Sequence, residues 1–157
     1  PFLDVELENV CIREPYIAEF KIKKKEESFF LINYHSRVHN QDPEEEIVFF
    51  KEYPKRLASE NIIILGDFNL DETHTVWNNL YSKGFKPSIE DSPTTLKRKC
   101  KKGKYLNHSI DNIYYNSNSF NFVNSGRIDF VNSCENLTNA RMLSDHLPVF
   151  LEFSTRN

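Results

Sequence analysis

The sequence predicts an α/β protein. Apolar runs of strand length alternate with stretches of helical spacing, a Gly-Asp-Phe-Asn motif closes the most apolar run, and an apolar/polar alternation ends the chain. The 157 residues are 39% hydrophobic and 13% aromatic, enough for one core, so 1–157 reads as a single domain or part of one.

Residues 10–22 alternate after Pro15 and predict a strand. Lys23 to Glu27 is a charged turn, and Ser28 to Tyr34 a second strand that completes a hairpin. Asp42-Pro43 followed by three glutamates marks a helix start, with Asp42 as cap and the acids complementing the dipole. That helix reaches about Ala58 and turns Ile47, Phe50 and Leu57 inward. A strand over 61–66 follows, then a helix over 73–82 ended by Gly84. Residues 86–109 are polar and carry a basic cluster from Lys97 to Lys104. Ile110 to Tyr115 predicts a short strand, 120–133 one or two more, and Leu147 to Phe153 the last.

Twenty basic against 23 acidic residues give a net charge of −3. That excludes a uniformly basic nucleic-acid coat but leaves room for a local patch. No apolar window is long enough for a membrane span and no signal peptide is visible, while the chain opens without Met. Cys11, Cys100 and Cys134 show no Cys-x-x-Cys spacing, and the odd count leaves at least one unpaired within the chain. Cys11 and Cys134 are expected as strand-embedded thiols and Cys100 as an exposed one, with the redox compartment undecided.

The chemistry-bearing residues sit beside strands. Arg13-Glu14-Pro15 opens the first, Asn33-Tyr34-His35-Ser36 closes the second, and Gly66 lets the chain turn so that Asp67 and Asn69 project from the third. Ser109-Ile110-Asp111-Asn112 opens the next, and Ser144-Asp145-His146-Leu147-Pro148 precedes the last. Asp67 and Asp145 are hard oxygen donors suited to Mg²⁺ or Mn²⁺, and thiolate or multi-His zinc patterns are absent. His35 and His146 are candidate proton-transfer groups, and Asp111 is able to fix the tautomer of one of them. Asn69 and Arg13 are donors for a negatively charged oxygen. Each piece alone has a plainer explanation as a turn, a structural histidine or a surface ion pair.

Together, Arg13-Glu14-Pro15, the His35 strand end, Gly66-Asp67-Phe68-Asn69, Ile110-Asp111-Asn112-Ile113 and Ser144-Asp145-His146-Leu147-Pro148-Val149 resemble the ordered motifs of the endonuclease/exonuclease/phosphatase superfamily, in its deoxyribonuclease I-like branch. The resemblance implies a four-layered α/β sandwich, two packed mixed sheets flanked by helices, with the site at their shared edge. It implies metal-dependent hydrolysis of phosphoesters, with Mg²⁺ as cofactor and Mn²⁺ or Ca²⁺ as alternatives. His35 and His146 become the catalytic histidines, with Asp111 orienting His146. Asp67, Asn69 and Asp145 bind metal and the scissile phosphate, and Arg13 supports phosphate binding or site structure.

The superfamily domain is usually larger than this chain, and its early strands normally bring an Asn and a metal-binding Glu that are not found here. The chain is therefore expected to be the C-terminal portion of an incomplete domain, with the N-terminal half as a missing partner. Lys97 and Lys104 in the basic stretch, Thr95, with Thr94 as a weaker guess, and Arg37, close to His35, are candidate substrate contacts. Three readings stay open: an endonuclease cutting DNA, a phosphatase or phosphodiesterase acting on inositol phosphates or lipid head groups, and a catalytically silent nucleic-acid-binding module.

Overall fold

The computed structural model describes residues 1–23 and 26–156. Lys24 and Lys25, in the expected charged turn, lie outside the described residues. The hairpin on either side of them is β2 (Tyr16–Lys21) against β3 (Ser28–His35), preceded by the short β1 (Phe2–Leu3). The strands β4 (Ile62–Asp67), β5 (Phe85–Pro87) and β8 (Asp111–Asn116) complete a six-stranded mixed sheet ordered β1-β2-β3-β4-β8-β5. Only β3 and β4 run parallel, and a helical crossover joins them, as parallel neighbours require.

That crossover departs from the single helix expected to about Ala58. It divides into α1 (Glu44–Ile47), a 3₁₀ turn (Val48–Glu52) and α2 (Tyr53–Arg56). Pro54 lies in the first turn of α2, where its missing N–H leaves no bond to the preceding turn. Asp42 adopts a left-handed conformation (φ 53°) and Pro43 takes the cap position. The helix expected over 73–82 is a 3₁₀ turn (Thr75–Trp77) leading into α3 (Asn78–Tyr81).

Aromatic side chains close the helix-covered face of the sheet. Phe50, Tyr53, Phe68, Trp77 and Tyr114 are fully buried, with the Trp77 and Tyr114 rings stacked 4.1 Å apart. Over the opposite face lie β9 (Phe120–Arg127) and β10 (Val149–Thr155), an antiparallel pair. Val149, Leu151 and Phe153 of β10 pack with Ile63, Ile113 and Tyr115 of the large sheet, so two sheets are stacked face to face with helices outside. The second sheet has two strands among the described residues, both antiparallel rather than mixed.

The basic stretch expected in a loop forms a hairpin, β6 (Leu96–Lys101) and β7 (Lys104–Leu106). Its two-residue turn puts Lys102 and Gly103 at positive φ, as primed hairpin turns require. An unexpected helix, α4 (Leu137–Leu143), packs Leu137 and Ala140 with Leu96 and Leu147. Cys100 and Cys134 form a disulfide that ties the hairpin to the turn before α4. The expected strand-embedded thiols are thus corrected: Cys134 is bonded and lies in a turn, and Cys11 is free, buried, but in a loop. No helix among the described residues is long and apolar enough to cross a membrane.

Candidate active site

Strand register builds the site. His35 ends β3, Asp67 ends β4 and Asp111 begins β8; the pairing sets His35 beside Asp67 and Asp67 beside Asp111. Three functional side chains therefore stand in one row across the sheet edge, one strand spacing apart. Gly66 does not turn the chain. It sits inside β4 at φ 151°, where a Cβ would overlap the Tyr34 carbonyl of β3, so the missing side chain lets the two strands close up. The turn comes at Asn69 (φ 52°), whose N–H donates to Asp67 Oδ1 at 3.0 Å.

His146 arrives from the other side of the edge. After α4, its own N–H donates to Ser144 Oγ (2.9 Å), and residue 146 forms an isolated bridge with Thr95. Its Nδ1 lies 2.9 Å from Asp111 Oδ2 and 3.1 Å from Oδ1. The Thr94 hydroxyl donates to Asp111 Oδ2 (2.6 Å) and accepts from the Asp111 N–H (3.1 Å), fixing the carboxylate that orients the ring. Thr94 thus holds Asp111 in place and is not aimed at a phosphate. The Asp111 hydrogen bond raises the His146 pKa above the ordinary imidazole value, helped by the charges of Asp111, Asp67 and Asp145 and opposed by burial.

Asp67 Oδ2 faces both imidazoles beyond hydrogen-bond reach, 3.6 Å from His35 Nε2 and 3.9 Å from His146 Nε2. Burial, then the neighbouring Asp111 charge, pushes the Asp67 pKa up. Asn69 Nδ2 is buried and has no hydrogen-bond partner among the described residues. Asp67, Asp111 and His146 offer ligand atoms all within 4.8 Å of one another. Two carboxylates and an imidazole form a donor set able to hold a divalent cation.

The remaining sequence-derived positions divide. Asp145 is not drawn into this cluster: its carboxylate is 60% exposed and faces Arg141 Nη2 at 3.4 Å. Arg37 is not free for substrate. It pairs with the fully buried Glu46 (2.9 Å), with Glu45 (3.1 Å) and with the Val10 carbonyl (2.8 Å). Glu46 also accepts from the Ile12 N–H and the Tyr34 hydroxyl; burial works against its charge, and these bonds outweigh it, so its pKa is lowered. Arg13 donates to the Ser36 carbonyl (3.3 Å) and, at the limit of reach, to that of His35, bracing the end of β3. Thr95 is buried and bonded to the His108 backbone. Lys97 and Lys104 lie on the β6–β7 hairpin, half-buried and exposed respectively, and form no ion pair among the described residues.

Sequence reasoning missed Glu46, which looked like one more acid at a helix start, and Arg141, which holds the Leu96 carbonyl at 2.7 Å. The adjacent threonines ahead of the basic stretch were the available signal for Thr94.

No protein-family model matches the sequence, and no curated protein matches it. Solved structures do. A protein of the endonuclease/exonuclease/phosphatase family from Bacteroides thetaiotaomicron is 24% identical, with a TM-score of 0.60 over 87% of this chain and 54% of that one. A mannosyl-6-phosphatase from B. thetaiotaomicron VPI-5482 is 22% identical, with a TM-score of 0.62 over 92% and 58%. D. rerio TDP2, complexed with a single-strand DNA product, is 17% identical, with a TM-score of 0.59 over 93% and 66%. The fold is therefore the deoxyribonuclease I-like α/β sandwich of the endonuclease/exonuclease/phosphatase proteins, and the chain spans a little over half the length of the first of these structures.

Proposed function

We propose that this chain is the C-terminal portion of a metal-dependent phosphoesterase of the endonuclease/exonuclease/phosphatase superfamily that hydrolyses DNA phosphodiesters. One observation carries the reading: His35, Asp67, Asp111 and His146, from four separate segments, meet at one sheet edge with Asp111 2.9 Å from the His146 ring. Asn69, with its unpartnered amide, borders the same edge.

The residues divide the work. With Nδ1–H held by Asp111, His146 presents Nε2 as the acceptor for a proton from the attacking water, and Asp111 stabilises the imidazolium that results. Asn69 Nδ2 donates to a phosphoryl oxygen as negative charge builds on it. His35, on the far side of Asp67, is placed to return a proton to the leaving oxygen. Asp67 and Asp111 would hold the divalent ion, which when bound supplies positive charge to the phosphoryl oxygens. The exposed cations of the β6–β7 hairpin start beside the site at Thr95 and favour a long polyanion over a small monoester.

Supercoiled plasmid incubated with the protein and Mg²⁺ tests this. Nicking that disappears with EDTA and with His146→Ala is expected. Nicking indifferent to both overturns the assignment. Phosphate released from monoesters without nicking points instead to the chemistry in the name of the mannosyl-6-phosphatase it is similar to.

A further inference from the structure

A cavity of about 240 Å³ opens beside Asn69. His39, Asn69, Leu70, His74, His108 and Ile110 are among its lining residues. Three imidazoles from three separate segments thus share one hollow with two aliphatic side chains. Those of His39 and His108 have no hydrogen-bond partner among the described residues, while His74 Nδ1 accepts from the Val76 N–H at 3.3 Å.

We infer that this cavity is a nucleoside subsite: it receives the base and sugar attached to the scissile phosphate. The inference rests on the proposed phosphoesterase reading, because Asn69 is the wall shared between the cavity and the phosphate-binding edge. Asn69 lines the cavity, and its buried Nδ2 has no hydrogen-bond partner among the described residues. The lining chooses among substrates. Among the described residues no lysine or arginine lines the cavity, so a second phosphate, as on an inositol polyphosphate, would find no fixed cation among them. Leu70 and Ile110 supply apolar contact, and imidazole rings supply flat faces and single donors or acceptors, which suit a heterocycle better than a polyhydroxylated ring. Thr73 engages Oδ1 of Asp71 (3.0 Å to its N–H), and the Ser109 hydroxyl donates to the Ser92 carbonyl (2.9 Å).

Calorimetric titration of the protein with AMP, ribose 5-phosphate, adenosine and inorganic phosphate, each with Mg²⁺, decides the matter. AMP is expected to bind about tenfold tighter than ribose 5-phosphate, the scale of one base–aromatic contact. The double variant His39→Ala/His108→Ala, both exposed positions whose folding is checked by circular dichroism, should lose most of that ratio while ribose 5-phosphate binding stays unchanged. AMP and ribose 5-phosphate binding alike, or a ratio that survives the double substitution, overturns the subsite. Adenosine binding that is lost in the double variant, without any binding of inorganic phosphate or ribose 5-phosphate, leaves the subsite standing and removes the phosphoesterase reading instead.

Discussion

The two faces of the large sheet are finished to different degrees. Beneath the helices, Phe50, Phe68, Trp77 and Tyr114 interlock with no exposed surface. On the strands that build the other side, Phe20 of β2 is 46% exposed, Phe122 of β9 50% and Phe150 of β10 36%. The two histidines of the site repeat the contrast. His146 is gripped through Nδ1 by Asp111, which Thr94 fixes in turn. His35 is half exposed, and its nearest carboxylate among the described residues is Asp67, at 3.6 Å. The later loops hold His146 through Asp111 and Thr94, whereas the end of β3 leaves His35 loosely held beside the more exposed side.

Three sets of substitutions sharpen the contrast. The largest effect is expected from His146→Ala, which should lower turnover about 10³-fold with the fold intact, the scale of a lost general base. His35→Ala should cost less, because that ring is held more loosely. Equal losses measured in steady-state kinetics would show that the two histidines are equivalent and end the comparison. Next is Trp77→Ala on the finished face, which should destabilise the protein by about 3–5 kcal/mol in urea unfolding, because the ring is fully buried and stacked.

Asp111→Asn comes third, at about 10²-fold in kcat/KM, with a pH signature. Asp111 raises the His146 pKa, so the rising limb that reports neutral His146 should lie above the usual value near 6.5 and fall toward it in the variant. The stability sign follows. A raised folded-state pKa contributes stability that is fully present below the unfolded value and is lost as pH rises through the folded one. The Tm difference between wild type and Asp111→Asn should therefore be widest below about pH 6.5 and narrow at higher pH.

Much of this site was legible in the sequence because strand ends carry it. An apolar run such as Ile62–Leu65 fixes where β4 stops, and the period-2 geometry then fixes that Asp67 stands at its edge. Register was not legible: nothing in the composition of β3 or β8 says that His35, Asp67 and Asp111 fall in one row. The side-chain direction of Asp145 was not legible either. This residue neighbours His146 in sequence, yet with His146 committed to the site its own carboxylate faces Arg141 on the exposed side. The helices were legible in place but not in form, since Pro54 and the aromatic-rich stretch around Phe50 divide what the spacing joined. Short α4 escaped because Asn136 makes no side-chain cap bond and only seven residues follow, so packing on Leu96 and Leu147 holds it rather than propensity. The Cys100–Cys134 bond needed three dimensions: 34 residues separate the partners, and a closed loop of that size stabilises by about 3–4 kcal/mol in the chain-entropy model.

The smallest expected effect tests the uncovered face directly. Phe122→Ser should change unfolding free energy by about 0.5 kcal/mol or less, because half of that ring already meets water. Its consequence should appear instead in association. Exposed apolar side chains beside open strand edges favour self-association or capture of further strands, so wild type should be polydisperse by light scattering and Phe122→Ser less so. A wild-type species that is monodisperse at 18.6 kDa would show that this face tolerates water unaided. The exposure of Phe20, Phe122 and Phe150 would then be an ordinary surface feature rather than a face that takes up further strands, and the looseness of His35 would need a cause of its own.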